Sequence, residues 1–100
     1  MGGLREGATL GSLGNAYAHL GEVEKAIGYH EQQLVISRET GDRQSEGNAL
    51  GSLGGAYARL DEVEKAIGYY ERALVISREI GDPRIVQAVT DALENLSKPG

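Results

Sequence analysis

A chain of 100 residues, 40% hydrophobic and 25% charged, is the size and composition of one ordinary soluble domain. Its net charge of -5, with acids and bases interspersed, excludes the cationic footprint of a nucleic-acid binder or of a protein held to anionic lipid. With no cysteine there is no disulfide framework, thiolate metal site or Cys nucleophile, and the start Met1-Gly-Gly-Leu-Arg5 lacks the apolar core of a signal peptide, which sets the expectation of a cytoplasmic protein.

Taken in order, Leu10, Leu13, Tyr17 and Leu20 step by three and four, the spacing of one buried helix face. Gly21 closes that helix. From Glu22, the residues Val23, Ala26, Ile27, His30, Leu34 and Ile36 or Ser37 keep helical spacing up to Gly41, with Glu22 and Glu24 at the positive end of the helix dipole. Asp42 is an N-cap for a third helix whose buried face is Leu50, Leu53, Tyr57 and Leu60. Asp61, three residues before Glu64, predicts a capping box and a sharp start for a fourth helix. That helix buries Val63, Ala66, Ile67, Tyr70, Ala73, Leu74 and Ser77 and stops at Gly81. Asp82-Pro83 then supplies an N-cap and a first-turn proline. The fifth helix carries the stripe Ile85, Val86, Val89, Ala92, Leu93, Leu96 and ends at Pro99.

The third and fourth helices repeat the first two. Setting residues 10–42 on 50–82 gives 33 pairs, of which seven differ: 15/55, 19/59, 21/61, 30/70, 32/72, 33/73 and 40/80. The period is forty residues. Units that cannot bury an apolar face alone stack on their neighbours, so function belongs to the stacked surface. The expected organisation is one domain over 1–100, with repeat one at 2–41, repeat two at 42–81 and a terminal or capping helix at 82–97. His30 and Gln33, where repeat two has Tyr70 and Ala73, predict more polar packing and lower stability in repeat one.

The spacings Leu10-x-x-Leu13-Gly14-x-x-Tyr17 with Ala26-x-x-x-His30, and Leu50-x-x-Leu53-Gly54-x-x-Tyr57 with Ala66-x-x-x-Tyr70 and Ala73, resemble the tetratricopeptide repeat. Forty-residue units ending in Ser-Arg-Glu-x-Gly-Asp are similar to those of the partner-of-inscuteable group and related bacterial arrays. The resemblance implies an all-α fold, a right-handed superhelical stack of antiparallel helix pairs with five helices here. It also implies a concave groove lined by the first helix of each pair.

Nothing in the chain points to catalysis. Ser12 and Ser52 in Gly-Ser-Leu-Gly are not a nucleophile elbow, which needs one residue between glycine and serine on a strand-to-helix turn. The glycines interrupt helices rather than forming a phosphate loop after a strand. His19 and His30 stand on different helices, so no metal or cofactor site is expected. The candidate site is a stripe of Ala8, Gly11, Ser12, Asn15 and His19 on the first helix and Asn48, Gly51, Ser52, Gly55 and Arg59 on the third, facing a peptide or helix. Among these Ala8, Ser12, Asn15, His19, Asn48, Ser52 and Arg59 carry the side chains expected to touch it. A protein-interaction or scaffolding module is the first reading. The alternative is a structural fragment of a longer array, or an engineered model repeat, whose main behaviour is self-association through the exposed repeat ends into a homo-oligomer.

Overall fold

The computed structural model describes residues 3–97, with side chains from residue 7 onward. It contains five helices and, among those residues, no strand: α1 Gly3–His19, α2 Val23–Thr40, α3 Arg43–Arg59, α4 Val63–Ile80 and α5 Pro83–Ser97. Pro99, expected to end α5, lies outside the described residues. Helices adjacent in sequence pack on one another, and α1 and α5 each touch α3 as well. The first helices of successive units, α1, α3 and α5, therefore line one side, with α2 and α4 behind them.

Four turns join the five helices, and all four use the same closure. In each, a left-handed residue follows the helix, directly after α2 and α4 and one residue later after α1 and α3, its N–H bonding three residues back, and the next N–H bonds five residues back, as in Asp42 N to Ser37 O at 2.9 Å. Glycine fills the left-handed position three times: Gly21 (φ 82°), Gly41 (φ 71°) and Gly81 (φ 69°). The fourth is Asp61 at φ 61°. This overturns the capping box expected there: Asp61 ends α3, and the residue before α4 is Glu62, whose side chain makes no capping bond. The real N-cap bonds sit at Asp42, whose Oδ1 accepts from Ser45 N at 3.1 Å, and at Asp82, whose Oδ1 accepts from Arg84 N at 3.0 Å and Ile85 N at 3.3 Å. The Gln44 side chain, followed by those two N–H groups, holds the Asp82 carboxyl below its ordinary range.

The core runs through the middle of the stack, with Leu50, Leu53, Ala49 and Ala73 fully buried alongside Ile27, Leu34, Ile76 and Val89. Its centre is α3, which is packed on both sides. The face expected to be buried on α1 is only partly so: Leu13 is 38% exposed and Leu20 72%. No helix precedes α1 in the structure, whereas α2 covers the matching side of α3, where Leu53 is 0% exposed. Leu60 at 36% and Val63 at 39% are likewise less buried than their spacing predicts, because each lies at a helix end beside the turn. Of the α5 stripe only Val89 is buried; the rest is half-buried, since α5 has packing partners on one side alone.

The glycines inside the helices explain how the pairs close. A Cβ on Gly14 would lie 2.6 Å from the His30 ring, and one on Gly54 would lie 2.7 Å from the Tyr70 ring. In each pair a flat ring from the second helix rests directly on the backbone of the first. Gly68 meets nothing within 4 Å and carries no such duty.

Two outcomes follow for thermal unfolding. Asp61→Gly relieves a left-handed side chain and should raise stability by roughly 1 kcal/mol. Gly54→Ala gains about 1 kcal/mol of helix preference but must push a ring off the backbone, so it should lower stability by roughly 1–3 kcal/mol net. Unfolding midpoints of the two variants moving in the same direction would contradict this account.

Candidate functional site

Two hollows lie in series along the side formed by α1, α3 and α5. The first, about 500 Å³, opens between α1 and α3; its walls include Ala8, Gly11, Ser12, Asn15, Asn48 and Ser52 and its floor is His30 and Gln33. The second, about 540 Å³, opens between α3 and α5; Gln44, Asn48, Gly51 and Ser52 face Ile85, Ala88, Val89 and Ala92 across a floor formed by Tyr70. Gln44, Asn48 and Ser52 belong to both.

Of the seven candidate side chains, the structure brings five together: Ala8, Ser12, Asn15, Asn48 and Ser52 all line the first hollow. The other two lie apart from it. His19 is exposed on the last turn of α1, and the Arg59 guanidinium donates to the carbonyl of Ala18 at 2.9 Å, tying α3 to α1. Sequence reasoning missed the floor residues His30, Gln33 and Tyr70 and the far wall on α5, having assigned them to packing. The signal was present in the glycines: a helix surface stripped of Cβ atoms exposes whatever lies behind it.

The floor of the first hollow is polar and bridged by Gln33. The Gln33 amide is turned so that Nε2 donates to Ser45 Oγ at 3.1 Å and Oε1 accepts from His30 Nδ1 at 3.2 Å. His30 is 2% exposed and Gln33 5%, yet among the described residues no buried side-chain polar atom lacks a partner. The polar packing expected in repeat one is therefore present, but the penalty of unpaired burial is not. Burial pushes the His30 imidazole below its ordinary value, the Gln33 bond opposing this in part. In the second hollow the floor is the Tyr70 ring, whose phenol burial holds above its ordinary range.

Behind the hollows each unit carries the same aromatic ridge. Tyr17 stacks on Tyr29, and Tyr57 on Tyr69, with centroids 5.4 Å apart and planes within 3°. Lys25 and Lys65 lie over the outer faces of Tyr17 and Tyr57 at 5.3 and 5.2 Å, each also paired with its own Glu22 or Glu62. This ridge joins α1 to α2 and α3 to α4, and none of its residues lines either hollow.

Among the described residues no group of three His, Cys, Asp or Glu side chains is placed to hold a metal ion, and no helix is long and apolar enough to cross a membrane. A family profile described as tetratricopeptide repeat matches residues 5–79. The chain belongs to the tetratricopeptide repeat family. No curated protein matches the sequence. Tetratricopeptide repeats are a non-catalytic type that generally mediates protein-protein interaction and scaffolding, and two hollows formed by successive first helices are consistent with such a role.

The buried imidazole gives this tetratricopeptide repeat a pH dependence. His30 binds its proton less readily in the folded chain than in the unfolded one, so its contribution to stability is present above the unfolded pKa of roughly 6.5 and is lost as pH falls below it. The thermal midpoint should drop between about pH 7 and pH 5 by more in the wild type than in a variant carrying the repeat-two residues, His30→Tyr, Gln33→Ala and Asn15→Gly. Equal drops would show that the folded protein accommodates protonated His30.

Proposed function

We propose that this tetratricopeptide module binds an extended peptide or a helix of a partner protein along the two hollows, as a scaffolding element. The observation that supports this most directly is their continuity: Asn48 and Ser52 stand at the junction and offer amide and hydroxyl groups to a chain crossing from one hollow to the next. The residues assigned to the groove are Ala8, Ser12, Asn15, Asn48 and Ser52; His19 and Arg59, which line neither hollow, are left out of it. A polar floor at His30 and Gln33 followed by a ring at Tyr70 selects for a ligand with a polar residue ahead of an apolar one. We treat residues 2–41 and 42–81 as the two units and 82–97 as the helix that closes the second hollow. We further propose that the chain is related to the arrays of the partner-of-inscuteable group and similar bacterial arrays, a reading supported by the forty-residue unit.

A second reading is supported by a separate observation. Leu13 and Leu20 leave an apolar strip on α1, which favours self-association through the ends of the stack.

The groove is tested with peptides selected on the full chain from a random library and then mapped by amide chemical shifts. Perturbations should centre on Asn15, Asn48 and Ser52. Asn48→Ala should weaken binding by roughly 3- to 10-fold through loss of one hydrogen bond, whereas Arg72→Ala on the opposite side should change nothing. Shifts centred on Glu31, Glu71 and Arg72 would place binding on the second helices and overturn the assignment.

A further inference from the structure

The chain holds one docking seat twice and fills the two copies unequally. Val23, Ile27, Glu31, Leu34 and Arg38 along α2 recur as Val63, Ile67, Glu71, Leu74 and Arg78 along α4. On the first seat lies α3: Ile27 and Leu34 are buried there at 9% and 7% exposure. The Tyr57 hydroxyl donates to Glu31 at 3.5 Å, and Arg38 donates to the nearly buried Glu46 carboxylate at 3.2 Å. On the second seat lies α5, and there Ile67 and Leu74 are only half-buried. The residues explain the difference. At the register of Glu46 and Tyr57, α5 carries Val86 and Ser97, so it brings Arg78 no carboxylate and Glu71 no phenol at those positions.

What α5 lacks, α1 possesses. Glu6, Leu13, Ala16 and Tyr17 stand forty residues before Glu46, Leu53, Ala56 and Tyr57. That side of α1 is also open: Ala16 is exposed and Leu13 is 38% exposed, where Ala56 is 5% and Leu53 0%. We infer that α1 of a second copy docks on α4 in the seat that α5 occupies, so that copies join head to tail with α5 as an internal competitor. This rests on the second reading above and specifies its geometry. The contact between molecules repeats the α2–α3 interface already present within one, with Leu13 taking the place of Leu53 and Tyr17 that of Tyr57. It is a heterologous contact: each joined pair still presents a free α1 at one end and an α4 seat at the other, so assembly is open-ended. The two-residue link Gly81-Asp82 keeps α5 at a high local concentration, on the order of millimolar. Assembly is therefore gated by release of α5.

Sedimentation equilibrium on the full chain tests this. The mean mass of the wild type should rise with concentration toward the millimolar range. Val89→Ala, which loosens α5, should move that rise to roughly tenfold lower concentration. Val86→Glu, which gives α5 the acid that α3 has, should move it higher. Leu13→Glu should stay monomeric with an unchanged circular dichroism spectrum, as should Arg78→Glu, which reverses the charge that the α4 seat offers where Arg38 pairs with Glu46 in the first seat. Mixed one to one, these last two should form a dimer and nothing larger, because one retains a working α1 and the other a working α4 seat. If neither the wild type nor Val89→Ala associates up to millimolar protein, self-association and the docking geometry both fall. If association survives Leu13→Glu, or the mixture gives no dimer, the geometry alone falls.

Discussion

The stack depends on a flat ring lying on bare backbone. His30 on Gly14 and Tyr70 on Gly54 bring the two helices of each pair closer than any side-chain-bearing residue allows. Each such glycine withdraws about 1 kcal/mol of helix preference, so these helices hold their shape through burial rather than through local propensity. The same contact decides what the groove contains. Because the first helices are stripped of Cβ atoms where the second helices reach them, the ring and its neighbours become the floor of the open side. The second hollow arises from an unfilled version of this arrangement: Gly11 is met by the long Gln33 side chain, but Gly51, in the unit where Ala73 replaces Gln33, meets nothing within 4 Å.

A repeat sequence folded once gives a direct comparison of identical residues in unlike surroundings. Leu13 and Leu53 share a neighbourhood in sequence, yet one is half open and the other sealed. The difference is wholly tertiary: α3 has helices on both sides and α1 has one side bare. Stability in such arrays is close to a sum of unit and interface contributions, and among helices adjacent in sequence the thinnest interface is the last, between α4 and α5. There α5 leaves Ile67 and Leu74 half-buried, while α1, packed on α2, keeps its opposite side open at Leu13 and Ala16.

Much of this was legible from residue order alone. The forty-residue period fixed the number of helices, the glycines marked three of the four turns, and the Leu-x-x-Leu-Gly-x-x-Tyr spacing carried the family. Three things were not legible, each for a physical reason. Helical spacing identifies an apolar face but not whether a neighbour exists to cover it, hence Leu13 and Leu20. An aspartate before a helix reads as a cap, yet position 61 had already been set by the end of α3, and its partner position Gly21 was the better guide. Floor residues were hidden because a side chain can be packed on one helix and still face a cavity through the gap left by glycines on another, as His30, Gln33 and Tyr70 do.

Three of the seven differences between the units reduce to one change of socket. The Tyr70 hydroxyl extends past Gly54 to lie 3.3 Å from where a Cβ on Gly55 would stand, so a side chain at position 55 would have to displace the phenol by a few tenths of an ångström. His30 is shorter and ends at Gly14, and position 15 in that unit holds Asn15, which lines the first hollow. The ring that is short enough to spare Asn15 is also the one with a nitrogen to pair, and Gln33 supplies that pairing where Ala73 suffices behind a phenol. Residues 15, 30 and 33 thus vary as a set, exchanging an apolar socket for a polar one on an unchanged backbone closure. The two hollows thus present two different chemistries produced by one architecture, and the polar half of that difference includes a histidine whose burial makes it bind a proton less readily, the Gln33 bond opposing this in part.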